Sequence, residues 1–140
     1  MTARSDILNY IMSNWTATPV YALDDLMRLE DLPATNEEII LLVDFPPASE
    51  YFAAIAVNQT NCFREDGFVQ LIFALPIGFD SAQVWTYAED LRDLVRAKRL
   101  GQTVMRTVDP FSGMGSFDGK WQLYISILNY YRDDLSLIHI

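Results

Sequence analysis

The chain has 140 residues, of which 51% are hydrophobic, 13% aromatic and 21% charged, a composition that excludes disorder and matches one globular domain with its own core. Nineteen acidic against ten basic residues give a formal charge of −9, which argues against a protein that grips phosphate backbones through a basic face; the plain consequence of such acidity is solubility. A single cysteine, Cys62, excludes an internal disulfide and points to a reducing cytosol, Met1–Asp6 lacks the apolar segment of a secretory signal, and the aliphatic run Ile39–Val43 is far too short to cross a bilayer.

In chain order, Ser5 is placed to cap a first helix over Asp6–Asn14. Ile7, Leu8, Ile11, Met12 and Trp15 recur at helical spacing and form its apolar stripe. Thr16-Ala17-Thr18-Pro19 ends that helix. Tyr21 fits the end of a short strand, Leu23–Glu30 fits a helical turn or two, and Pro33 stops the segment. Glu38–Phe45 reads as a strand, Pro46–Ser49 as a turn and Tyr51–Val57 as a second strand. A long strand follows over Cys62–Leu75, broken by Pro76-Ile77-Gly78. Asp80 or Ser81 then caps a main helix over Ala82–Leu100, with Val84, Tyr87, Ala88, Leu91, Leu94 and Val95 on one face. Arg92, Arg96, Lys98 and Arg99 crowd its last turns, where cations favour the helix dipole, and Gly101 suits the residue after its end. Gln102–Val108 and Gly119–Tyr130 are the last two strands, and Pro110–Gly119 between them reads as a long mobile hairpin loop. No repeat, linker or low-complexity run interrupts residues 1–140, which read as a single domain.

The strands are apolar on both faces. In Gly67–Leu75 one alternate set is Val69, Leu71, Phe73 and Leu75, while the other, Phe68, Gln70, Ile72 and Ala74, is nearly as apolar. A strand with one wet face alternates cleanly, because successive side chains point to opposite sides. The sheet is therefore expected to be covered on both faces. Two helices suffice for one, which leaves the other for a second copy or a partner. Leu91 and Val95 are expected to pack on Leu71 and Phe73, and on Leu123, Ile125 and Ile127 of the last strand.

Catalytic equipment is sparse. The single histidine, His139, is the penultimate residue, so no triad or dyad can be built on another, and one His with one Cys cannot assemble a zinc site of the usual kind. Cys62, in or beside a strand, reads as a small buried hydrophobe. The pairs Asp24-Asp25, Glu37-Glu38 and Asp133-Asp134 lack calcium-loop spacing and read as solvated surface. Gly113-Met114-Gly115 lacks the strand–glycine–helix context of a phosphate cradle. No cofactor or metal is expected. The basic helix end, with Glu89–Arg92 and Asp93–Arg96 at i, i+3, reads as a solvated surface. Trp85 falls about a quarter turn off the core stripe, on the side of Arg92 and Arg96. It is either a core-edge residue or an interface anchor, since Trp and Arg are enriched at hot spots.

The order of elements, the long strand led by Arg64-Glu65-Asp66-Gly67 and ending in Leu75-Pro76-Ile77-Gly78, and Asp118-Gly119-Lys120-Trp121 opening the last strand resemble the tail terminator proteins of long-tailed phages, also called minor tail or tail completion proteins. The resemblance covers about Ser5 to Asp134; Leu23–Pro33 and the tail Leu135–Ile140 match no part of it. It implies an α+β fold, a mixed, largely antiparallel sheet with two main helices packed on one face. It also implies a non-enzymatic virion protein assembled in the host cytoplasm into a hexameric ring at the head-proximal end of the tail. Its implied partners are other copies of itself, the tail tube protein and the head-completion or connector protein, with DNA passing through the ring without specific binding and no membrane involved. In that setting Trp85, Arg92 and Arg96 are candidates for the subunit interface. Asp109, Phe111, Met114, Phe117 and Asp118 are candidates for a loop facing a partner or the lumen, ordered only on assembly, the alternative being a hairpin loop tucked on its own sheet. Two other classes remain open on the residues: a small-ligand-binding or enzymatic α+β domain whose apolar sheet face lines a pocket, and another neck or baseplate adaptor of a virion.

Overall fold

The structure is a computed structural model that describes residues 2–23, 39–56, 60–78, 81–117 and 121–137. Along the chain run helix α1 (Ala3–Asn14), strands β1 (Val20–Ala22), β2 (Ile40–Asp44), β3 (Ser49–Ala56) and β4 (Thr60–Pro76), helix α2 (Ala82–Val95), and strands β5 (Arg99–Leu100), β6 (Thr103–Val108), β7 (Ser112–Phe117) and β8 (Trp121–Leu137). Leu23–Pro33 falls mostly outside the described residues, as do Asp80 and the end of the Leu135–Ile140 tail.

The first helix begins earlier than its apolar stripe alone suggests. Thr2 caps it: its hydroxyl accepts the Ser5 amide at 3.1 Å, and the Ser5 hydroxyl accepts the Thr2 amide at 3.0 Å. Ser5 is therefore the reciprocal partner in a capping box and not the cap. Ile7, Leu8, Ile11 and Trp15 are buried as the spacing predicts, but Met12 is exposed.

The main helix buries Val84, Ala88, Leu91 and Val95 and is shorter than expected, ending at Val95. Ala97 adopts a left-handed conformation (φ 57°), and its amide donates to the Arg106 carbonyl at 2.9 Å, which turns the chain into β5. Lys98 and Arg99 thus lie beyond the helix. Gly101 (φ 64°) opens a two-residue hairpin turn, since Leu100 pairs with Thr103 across Gly101-Gln102.

β4 and β8 form the spine of the sheet. They are 17 residues each and pair antiparallel without interruption from Thr60↔Leu137 to Pro76↔Trp121. Their outer edges are each shared by two shorter strands. β2 pairs with Gln70–Ala74 of β4 and β3 with Thr60–Asp66; β7 pairs with Trp121–Ile125 of β8 and β6 with Leu128–Arg132. β1 joins β2 in parallel, the one parallel pair among the described strands, and β5 closes the β6 edge. The fold is α+β with a mixed, largely antiparallel sheet, as expected.

Pro110–Gly119 departs from expectation. Ser112–Phe117 is not a free loop but a strand on the β8 edge, with a register shift between Gly113 and Gly115. Gly115 sits at φ 97°, the backbone that a bulge of this type requires. Phe111 at the start of the segment is buried, its ring 5.2 Å from that of Phe73.

Alternation along the spine sorts the core into two clusters. Leu41, Val43, Val69, Leu71, Phe73, Leu75, Tyr124, Leu128 and Tyr130 face the helices and share one cluster with Ile7, Leu8, Ile11, Val84, Ala88, Leu91 and Val95. Both helices therefore cover the same face. Ile40, Leu42, Ile72, Ala74, Trp121 and Leu123 form a second cluster on the reverse face, with Tyr21, Leu23 and Ile125 packed against it. The expectation for Leu91 and Val95 thus holds for Leu71 and Phe73 but not for Leu123, Ile125 and Ile127. Those three are in register with the reverse face, because Ile72 pairs with Ile125 and Gln70 with Ile127. The reverse face also needs less outside cover than expected. Ile40, Leu42, Ile72 and Ala74 are already buried within the chain.

Candidate functional site

The exposed flank of α2 carries the residues expected at a subunit interface, and each has a partner within the chain. Trp85 meets Tyr124 edge-on, with ring centroids 5.3 Å apart and planes at 76°, yet it remains 45% exposed. It is a core-edge residue whose outer face is exposed. Arg92 donates from Nε to the Val108 carbonyl at 3.2 Å, which ties the helix to the end of β6. Arg96 pairs with Asp93 at 2.9 Å, the i, i+3 contact the sequence predicts, on an exposed surface. Trp85 and Glu89, four residues on, share the flank.

The residues expected in a partner or lumen loop are dispersed. Asp109 is fixed through its backbone: its amide donates to Ile127 at 3.0 Å, and the Ser126 hydroxyl donates to its carbonyl. Phe111 is a core residue. The side chains of Met114 and Phe117, and Asp118 altogether, lie outside the described residues, as does the side chain of Cys62.

Three polar constellations escaped sequence reading. On the helix face, Asp6 of α1 accepts from the Thr103 hydroxyl at 2.8 Å and from Arg132 at 3.2 Å, with its side chain only 9% exposed. This triad clamps the first helix to β6 and β8. Nearby, the Tyr130 hydroxyl donates to Glu65 at 2.8 Å, and the ring lies across Gly67, where a Cβ would stand 2.5 Å from the hydroxyl oxygen. Burial first, then the hydrogen bond and charge of Glu65, push the Tyr130 hydroxyl well above the ordinary tyrosine range and keep it protonated.

On the reverse face, Arg64 and Arg106 both lie over the ring of Tyr131, at 4.2 and 4.3 Å from its centroid. Arg64 is also held by Asp133 in a bidentate pair at 2.7 and 2.9 Å. Arg64 belongs to the Arg64-Glu65-Asp66-Gly67 lead-in of the long strand, but nothing in the sequence links it to Arg106. Only the pairing of β8 with β4 on one side and β6 on the other brings them to one tyrosine.

Among the described residues, two surface grooves can be traced. One is lined by Asp6, Asn9, Leu100, Gly101, Gln102 and Arg132, the other by Thr2–Arg4, Phe45, Pro46, Ala48, Glu65 and Tyr130. Among the described residues, no group of three His, Cys, Asp or Glu side chains could hold a metal ion, and no helix is long and apolar enough to cross a membrane.

No protein-family model matches the chain, and no curated protein matches it. A solved structure is similar over 98% of this chain and 92% of its own, with a TM-score of 0.52 at 17% identity. At that identity the likeness concerns the fold.

Proposed function

We propose that this chain is a structural subunit of tail-terminator type, forming a ring at the head-proximal end of a phage or phage-derived tail. There it ends tube polymerisation and offers a docking surface to the head. The observation that carries this reading is the arrangement of elements. A helix, a long strand, a second helix and a final long strand build a largely antiparallel sheet with both helices on one face, as the resemblance implies. The formal charge of −9 supports it too, since an acidic ring lets DNA pass without sticking. On this reading the partners are further copies of the chain, the tail tube protein and a head-completion or connector protein. The protein resides in the virion tail and has no catalytic role.

The test is electron microscopy of particles produced without this protein. Overlong, headless tails are the expected outcome; tails of normal length joined to heads would overturn the proposal. Native mass spectrometry is the complementary measurement. A ring, free or on tail tubes, is expected, whereas a stable monomer carrying a small molecule would favour a ligand-binding or enzymatic domain.

A further inference from the structure

Two exposed groups on opposite sides of the subunit are chemically complementary. On the α2 flank, Trp85 keeps its outer face in solvent and Glu89 beside it is exposed, with no ion pair among the described residues. On the reverse face, Arg106 is exposed. Its guanidinium touches the Tyr131 ring and, among the described residues, pairs with no carboxylate. The neighbouring Arg64 differs, since Asp133 already balances its charge.

The two groups cannot meet within one subunit. Trp85 rests on Tyr124 and Arg106 on Tyr131, and these tyrosines stand an odd number of positions apart on β8, so they point to opposite faces of the sheet. Nor does either patch suit itself across a two-fold axis, which would set Arg106 near Arg106 or Glu89 near Glu89. A contact between unlike patches is heterologous, and repeating it gives a closed ring or an open chain.

We propose that the Trp85–Glu89 flank of one subunit docks on the Arg106–Tyr131 patch of the next copy, with the Glu89 carboxylate meeting the Arg106 guanidinium and the indole packing beside the tyrosine. This deepens the ring reading, on which it rests, by naming the subunit contact. The occupant is a second copy because the patch is cationic and aromatic while the opposite flank offers an acid and an aromatic. A nucleic-acid backbone would instead meet the field of a strongly acidic protein.

A charge swap tests it, read by native mass spectrometry and sedimentation at low salt, on the free chain and on tail tubes. Arg106→Glu and Glu89→Arg should each abolish assembly, and the two together in one chain should restore it. Trp85→Ala should weaken assembly roughly tenfold or more. Circular dichroism confirms folding, and Arg106→Gln replaces the reversal if that variant unfolds. If the unaltered chain forms rings and every variant does too, the contact is overturned and the ring reading stands. If the unaltered chain forms only open chains that obey the swap pattern, the contact stands and the ring reading fails. No self-association under either condition overturns both.

Discussion

The two ends of the β4–β8 ribbon share one uninterrupted backbone ladder but are held in different ways. At the Pro76–Trp121 end, residues of both faces are apolar and buried: Leu71, Phe73 and Leu75 under the helices, Ile72, Ala74 and Leu123 on the reverse side. Beyond Gly67 the same strands carry Arg64, Glu65 and Asp66 opposite Tyr131, Arg132 and Asp133, all partly exposed. Backbone hydrogen bonds are common to both ends, so they do not account for the difference. Burial of apolar area fixes the first end, a force that ionic screening does not weaken. Charge-assisted pairs and arginine–aromatic contacts organise the second, and these weaken with ionic strength. Gly67 and Tyr130 mark the boundary, where a tyrosine ring covers a residue that has no side chain of its own.

The contrast can be broken most severely from the buried end. Leu91 is fully buried in the helix-face cluster, and Leu91→Ala should destabilise the subunit by about 2–5 kcal/mol in denaturant titration. A loss under ~1 kcal/mol would mean that burial is not what fixes this end. At the boundary, Gly67→Ala drives a methyl group into the Tyr130 ring. The ring must swing away and release Glu65, at an expected loss of about 1–3 kcal/mol, and wild-type stability would show that the ring is free to move. A double-mutant cycle on Arg64 and Asp133 should return a coupling of only ~0.5–1 kcal/mol at low salt, because both side chains are nearly a third exposed. That coupling should shrink further in high salt. A value insensitive to salt would place the pair in the same class as the buried end.

The smallest effect at neutral pH concerns Tyr130. Its folded-state hydroxyl loses its proton less readily than the ordinary value of 10.0 allows. Below that value both folded and unfolded chains hold the proton, and the contribution to stability is fully present. Above it the unfolded chain releases the proton first, so stability falls as pH rises. Unfolding midpoints should therefore decline beyond about pH 10. Tyr130→Phe should flatten that decline, and an unchanged alkaline arm in the variant would assign the loss to other groups.

Much of this architecture was legible in the sequence, and the misses have physical causes. Helical period located α1 and α2, while apolar runs bounded by turn residues located β2, β4, β6 and β8. The end of α2 was misread because Arg96 to Leu100 are sound helix formers by propensity. What stops the helix is a long-range bond from the Ala97 amide to Arg106, paired with a hairpin turn at Gly101-Gln102. β7 was missed because Gly113 and Gly115 have poor strand propensity, and only the β8 edge makes pairing worthwhile. The face of Leu123, Ile125 and Ile127 was ambiguous because Tyr124, Ser126 and Leu128 are about as compatible with a core, and register alone decides between the two sets. Of the candidate interface, the flank position of Trp85 followed from helical phase. The Arg64–Tyr131–Arg106 group did not, since it exists only after three strands have been aligned.

The spine also sets the order in which the chain can fold. Its innermost pair, Pro76 with Trp121, encloses α2, β5, β6 and β7, and its outermost pair joins Thr60 to Leu137. No tight turn connects β4 to β8, so the ladder cannot zip from a local hairpin. The chain entropy of that loop must be surrendered before the spine returns any stabilisation. Folding should accordingly be slow for a protein of this size, with the α2–β6 segment collapsing early and the spine closing late. Until closure, the edges of both 17-residue strands are open to pairing with other chains, and newly made subunits are most exposed to aggregation in that interval.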